Sequence, residues 1–265
     1  MFDVVAILSW PELTLSASLT RRHVQAWTRV PVITITRHDL RYDKESGPLY
    51  ESLVKRCRNP DAKWTMHKLL LPWTLRYWNG ISIDRMLLLD NDVIVRSPLD
   101  PVFDTLGQFQ IGMVLEQATH LRMASKNHTY FNGGLQLLNF PEIRRSTCHA
   151  RELTSIAKGR HGQIGWNSDQ HVYTMLHGLC GHIRTLGCEW NRQFGSYLMD
   201  VHTRRLTLTH HIACSHCYIL HFNDQMLKKQ VASLQDNVST KLALRPRQQE
   251  MIRECLQGVN GGIVE

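Results

Sequence analysis

The chain has 265 residues, with 31 Lys and Arg against 23 Asp and Glu, and a formal net charge of +8 when its 15 histidines are neutral. A hydrophobic content of 43% with 20% charged residues excludes a disordered or fibrous protein, and the length suits one sizeable core. No basic run exceeds two residues (Arg21-Arg22, Arg144-Arg145, Arg204-Arg205, Lys228-Lys229), which argues against a nucleic-acid-binding arm and leaves two readings of the surplus: a mildly cationic surface, or a surface for an anionic substrate such as a nucleotide diphosphate or acidic glycan.

The longest uninterrupted apolar run is five residues, Val4 to Leu8, against the roughly 20 needed to span a bilayer. Asp3 stands where a secretory signal would carry positive charge, so the expectation is a soluble chain made in the cytosol. Cysteines 57, 148, 180, 188, 214, 217 and 255 are odd in number and scattered, which excludes a disulfide-stapled miniature and predicts reduced thiols. The sequons Asn127-His-Thr129 and Asn237-Val-Ser239 then read as chance matches.

In chain order, Phe2 to Ser9 reads as a buried first strand, Ser16 to Trp27 as a helix, and the Val/Ile/Thr-rich Val30 to Thr36 as a second strand. Asp61 can cap a helix over Ala62 to Tyr77, whose stripe of Trp64, Leu71, Leu75 and Trp78 faces inward and which Pro72 kinks. Arg85 to Asp90 is a strand covered on both faces, because Met86 to Leu89 is apolar at every position. Ile111 to Leu115, Leu135 to Phe140, Ile183 to Leu186 and Cys217 to Phe222 complete the strands. Glu142 to Lys158, Ser168 to Leu176 and Arg245 to Leu256 are the remaining helices. Alternating strands and helices predict an α/β sandwich with a mainly parallel sheet, built as one domain over 1–265, with ligands at the carboxyl edge of its strands.

Asp90-Asn91-Asp92 leaves such a strand directly and is followed by Val93-Ile94-Val95. Side chains two apart in extended chain point the same way, so both carboxylates can share one hard divalent cation, which in turn holds a diphosphate. An isolated D-x-D is also common as a solvated turn, but the apolar runs on both sides argue for a site. A phosphatase nucleophile motif is the competing chemistry. It calls for Thr or Val where Ile94 stands and for a place near the chain start.

Taken together with His67-Lys68-Leu69-Leu70-Leu71-Pro72, Tyr130-Phe131-Asn132-Gly133-Gly134-Leu135-Gln136-Leu137-Leu138-Asn139, Trp166-Asn167-Ser168-Asp169-Gln170, Cys188-Glu189-Trp190-Asn191 and Ile219-Leu220-His221-Phe222, this segment resembles glycosyltransferase family 8, the retaining GT-A enzymes that use UDP-sugars. The likeness runs from about Val4 to Lys229, and the Cys-x-Trp-Asn stretch is most similar to the glucoside xylosyltransferases. The resemblance implies a GT-A fold with a nucleotide-binding half over 1–140 and an acceptor-side half with the C-terminal helix over 141–265. It implies transfer of a sugar, xylose first, from a UDP-sugar to a glycan or glycoprotein hydroxyl.

It also assigns roles. Asp90, Asp92 and His221 would hold Mn²⁺ or Mg²⁺. Leu8, Ser9 and Trp10 would line the uridine pocket, Asn91 would sit with the donor, and Lys68 would neutralise its phosphate. Asn132, Gly133 and Gly134 would let backbone and an amide approach the sugar, while Asp169 and Gln170 would lie beneath the anomeric carbon. Each has a structural reading beside it: a core Trp or His, a solvated Lys, a tight turn for the glycines, a helix cap and dipole partner for Asp169. The family's Gly and Lys after the metal His are here Asp224 and Leu227, so Lys228 or Lys229 would supply that phosphate contact. Two readings from other classes stand beside it: a non-catalytic glycan-binding relative, and a zinc or nucleic-acid module on Cys214-Ser-His-Cys217 with His210 and His211.

Overall fold

A computed structural model of the chain describes residues 1–8, 14–36, 40, 42, 44, 46–117, 129–165, 168–193 and 216–222. Strand β1 (Asp3–Leu8) is followed by helix α1 (Thr14–Gln25), β2 (Val32–Ile35) and α2 (Ser46–Arg56). A 3₁₀ segment, Pro60–Leu70, runs into one α-helical turn, α3 (Leu71–Thr74), and a small hairpin, β3 (Tyr77–Trp78) and β4 (Ile81–Ser82). Next come β5 (Arg85–Leu89), β6 (Val93–Val95), α4 (Asp100–Thr105), β7 (Ile111–Leu115) and β8 (Phe131–Asn139). Then follow α5 (Phe140–Arg145), α6 (Thr147–Ala157), α7 (Ser168–Cys180), β9 (Ile183–Leu186), a 3₁₀ turn Cys188–Trp190, β10 (Arg192–Gln193) and β11 (Ile219–His221). The helix expected over 245–256 lies outside the described residues.

Six strands form the main sheet in the order β2-β1-β5-β8-β7-β9. β2, β1 and β5 run parallel, as do β7 and β9, and only β8 is reversed against both neighbours. The mainly parallel α/β sandwich expected from the sequence is therefore present. Alternation explains the apolar runs: Val4, Ala6, Met86 and Leu88 pack into one core, and Val5, Ile7, Leu87 and Leu89 into another. The first core is covered by Met66, Leu69, Val172 and Leu176, the second by Val24, Leu99, Val102 and Phe103. Asp3 has its own structural partner: Arg85 of the adjacent strand forks onto both its oxygens at 2.9 and 2.6 Å.

Two helix expectations change. The chain is 3₁₀ over Pro60–Leu70 and α-helical only over Leu71–Thr74; Pro72, in that turn, lacks the N–H that would bond Lys68 O, and the Tyr173 hydroxyl donates to that carbonyl at 3.3 Å. The helix expected over Glu142 to Lys158 is two. Asn139 caps α5 by accepting from Glu142 N, and Ser146, in extended conformation, caps α6 by accepting from His149 N. A second, three-stranded ribbon, β10-β11-β6, runs β11 antiparallel to β6.

The expectation of reduced thiols is corrected. Cys148 and Cys180 form a disulfide, Cys188 and Cys217 are also disulfide-bonded, and among the described residues Cys57 is a free thiol. Nothing in the spacing announces the first bridge; the packing of α6 against α7 brings 148 and 180 together. Breaking it opens a loop with a sequence separation of 32, so Cys148→Ser/Cys180→Ser is expected to lose about 3–4 kcal/mol of stability in chemical denaturation, and intact mass under non-reducing conditions will show whether the bridge is formed.

Beside this bridge two buried imidazoles meet, with His149 Nδ1 and His182 Nε2 3.1 Å apart, one donating to the other. Burial, with each facing another histidine (His182 for His149, His177 for His182), pushes His149 down to about 3 and His182 to about 4. Both lie below their unfolded value, so between those values and about 6.5 the unfolded chain binds more protons and stability drains as pH falls. Thermal unfolding from about pH 7 to about pH 4 is expected to show a falling Tm, and His149→Phe to flatten the slope; an unchanged profile would contradict this.

Candidate active site and metal centre

The site forms where β5 ends. Asp90 N donates to Gly134 O of the neighbouring β8 at 3.0 Å, and Phe222 N to Asp92 O at 2.8 Å. Thr20 Oγ1 of α1 donates to Asn91 O at 3.1 Å, fastening the turn from below. Pairing of β11 with β6 sets His221 opposite Val93, and its Nε2 lies 3.3 Å from Asp92 Oδ1 and 4.0 Å from Asp90 Oδ2. Ligand atoms of Asp90, Asp92 and His221 all fall within 4.8 Å of one another. Three residues separated by up to 131 positions in the chain thus converge on one point.

Lys68, on the 3₁₀ segment, is wholly buried beneath them. Its Nζ donates to Asp90 Oδ1 at 2.7 Å and to Gly133 O at 2.8 Å, and lies 3.7 Å from Asp169 Oδ2. Burial pulls its pKa down, but the charges of Asp90, Asp169 and Asp92 and the bond to Asp90 outweigh that and hold it above the ordinary lysine value. Asp169 opens α7. Burial lifts its pKa, against the pull of Lys68 and a hydrogen bond from Thr65. Ser168 just before it is left-handed at φ +42°, a conformation unusual for a residue with a side chain, and its Oγ is 3.2 Å from Cys57 Sγ.

The two glycines make room for these side chains. A Cβ at 134 would overlap the His221 ring, and one at 133 would lie 2.7 Å from Asp169 Oδ2 and 3.1 Å from Gln170 Cγ. The Cβ positions of both glycines are thus taken up by neighbouring side chains. Asn132 is likewise used by the scaffold: Nδ2 donates to Glu116 Oε2, and Oδ1 accepts from Gly134 N and Asn191 Nδ2. Asn91 is buried, and its Nδ2 has no hydrogen-bond partner among the described residues.

Sequence reasoning missed two features. Gln136, wholly buried on β8, donates from Nε2 to Asp169 Oδ2 at 3.1 Å and Gly133 O at 3.3 Å; the signal was a lone amide in the run Leu135-Gln136-Leu137-Leu138. The second is a buried amide network. Gln117 N donates to Gln193 Oε1, Gln193 N returns a bond to Gln117 Oε1, and Gln117 Nε2 donates to Asn191 O. No spacing rule marks it.

Three carboxylates, Asp90, Asp92 and Asp169, gather around one lysine, in a pocket where Asp92, Asp169, His221 and Lys68 are all buried. Two carboxylate oxygens plus an imidazole form a donor set that suits Mn²⁺ or Mg²⁺. Ser9, Trp10 and Lys228 lie outside the described residues, as does the side chain of Leu8. Among the residues of the zinc reading, Cys217 is disulfide-bonded, which removes its thiolate as a ligand and overturns that module; Cys214, His210 and His211 lie outside the described residues.

Solved structures share this fold. Mouse xyloside xylosyltransferase 1 in its apo form is 16% identical with a TM-score of 0.61 over 84% of this chain and 97% of that one. The galactosyltransferase LgtC in complex with donor and acceptor sugar analogues is 16% identical with a TM-score of 0.60 over 94% and 100%. The glycosyltransferase GlyE of Streptococcus pneumoniae TIGR4 is 14% identical with a TM-score of 0.57, over 98% of this chain and 62% of that one. No curated protein sequence matches the chain. The family model described as glycosyl transferase family 8 matches residues 57–227, a span that holds Lys68, Asp90, Asp92, Asp169 and His221, and the chain belongs to that family.

Proposed function

We propose that this glycosyltransferase uses a divalent cation, Mn²⁺ or Mg²⁺, to transfer a sugar from a UDP-sugar to a glycan hydroxyl with retention of anomeric configuration. The observation that carries the reading is the convergence of Asp90, Asp92 and His221 ligand atoms within 4.8 Å of one another at the end of β5. Xylose is the first donor to test, on the strength of Cys188-Glu189-Trp190-Asn191 and the likeness to the xyloside enzyme; the equal likeness to a galactosyltransferase keeps galactose and glucose as the other arms. Donor contacts fall to 1–140, including Leu8, Ser9, Trp10 and Asn91, and acceptor contacts to 141–265, with Lys228 reaching the diphosphate.

Asp90, Asp92 and His221 hold the ion, which when bound supplies charge stabilisation to the departing diphosphate. Asp90 and Gly133 O hold the Lys68 ammonium below the site, close to Asp169, and from there its charge helps to neutralise the donor phosphate. Asp169, oriented by Gln136, accepts from sugar hydroxyls. Gln170, beside Gly133, contributes a neutral amide that is too weak a nucleophile for a covalent intermediate. The acceptor hydroxyl therefore attacks from the side UDP leaves, and a leaving phosphate oxygen takes its proton.

No helix among the described residues is long and apolar enough to cross a membrane. The disulfides favour an oxidising compartment over the cytosol expected from the sequence.

Turnover of UDP-xylose, UDP-glucose and UDP-galactose should require Mn²⁺ or Mg²⁺, vanish with chelator and return on adding metal. Asp92→Ala is expected to lower it by at least roughly 100-fold, beyond the effect of removing an outer-shell partner; activity unchanged in that variant would sink the reading. Gly134→Ala, which forces His221 aside, is expected to leave the fold intact by circular dichroism while raising the metal concentration for half-activity by about tenfold or more.

A further inference from the structure

On the face of the sheet that holds the first core, α2, α3 and α6 enclose a cavity of about 380 Å³ that shares no residue with the metal centre. Its walls are mainly apolar, from Leu49, Leu70, Trp73, Leu153 and Ala157, with the hydroxyl side chains of Ser46, Ser52 and Thr154 among them. The Trp73 ring is backed by His149, 5.7 Å away between centroids, so the floor is preformed. Arg76 and Lys158 stand at the rim, both exposed. A shallower depression continues along α6 past Lys158 and adds Arg151 and Arg160. Arg151 is engaged by Glu152 at 2.7 Å; Arg76, Lys158 and Arg160 have no carboxylate within ion-pair distance among the described residues.

The chemistry of the lining selects the ligand. No Asp, Glu, Asn or Gln lines either depression, so the amide and carboxylate acceptors that a sugar ring needs for its hydroxyls are missing. What is present is a mainly apolar chamber of the size that takes small molecules, with cations at its mouth that have no carboxylate partner among the described residues. We propose that this cavity is a second ligand site, separate from the donor site, for a small amphiphile carrying a phosphate monoester head. The apolar body lies against Trp73 and Leu153. The doubly charged head, which two cations match better than one, sits between Arg76 and Lys158.

Calorimetric titration of the full chain with hexyl phosphate, hexanol and inorganic phosphate tests both halves of the site. Hexyl phosphate is expected to saturate one site, with the other two probes weaker by about tenfold or more, because each lacks one half of the recognition. Arg76→Glu/Lys158→Glu, at exposed positions that leave the fold alone, should weaken hexyl phosphate by about tenfold or more, as should Thr154→Trp, which fills the chamber from α6. Asp92→Ala should bind it as wild type does, separating this cavity from the nucleotide site. Equal affinity for the three probes, no saturable binding, or affinity untouched by the charge reversal would overturn the proposal, and so would loss of binding in Asp92→Ala.

Discussion

Negative charge gathered at the end of one apolar strand is the constraint around which the molecule is arranged. Asp90 and Asp169 come close enough to share the Lys68 ammonium, and Asp92 adds a third carboxylate a few ångströms away. Carboxylates in such a place are tolerable only with compensation from several directions. The 3₁₀ segment delivers the lysine, β8 delivers Gln136 and a carbonyl, and the β6–β11 ribbon delivers an imidazole. Asp90, Asp92 and His221 together present a donor set for a divalent cation.

Close packing of these groups explains local choices that otherwise look arbitrary. Glycine is needed at 133 and 134 because Asp169 and His221 lie directly on the β8 backbone. Ser168 adopts a left-handed conformation to begin α7 at the point where Asp169 can reach Lys68. The buried amides of Asn132, Asn191, Gln117 and Gln193 bond to one another and to the nearby backbone around the same strand ends, with Asn191 Oδ1 left without a partner among the described residues. A network of this kind rigidifies the floor of the site, since each member is costly to leave unpaired. Away from the site, α6 serves two further purposes: its start is stapled to α7 by a disulfide and its length walls a separate cavity.

The strands were legible because a buried parallel strand has an unmistakable composition. Val4 to Leu8, Met86 to Leu89 and Ile111 to Leu115 each matched an observed strand, and Ile183 to Leu186 matched an edge strand with Arg184 and Thr185 exposed. Helix boundaries were less so. Caps such as Ser146 compete with a continuous apolar pattern, and α2 lacks a strong one. The Asp90 and Asp92 pair was readable from local pattern alone, because two acids after an apolar strand are rare without a purpose. His221 was not: an imidazole on a short strand carries no local mark, and only the succession of motifs singled it out.

The sequence by itself therefore determined the sandwich, the strand that ends in the acidic pair and the family to which these motifs belong, all properties encoded within short windows by hydrophobic period and residue type. Tertiary structure decided the rest. Lys68 turned out to face carboxylates rather than solvent, the glycines to clear space for side chains, Gln136 to orient Asp169, and Cys148 to meet Cys180. Each of these is a contact between segments distant in the chain, and such contacts exist only once burial has brought the segments to the same depth and closed the water out.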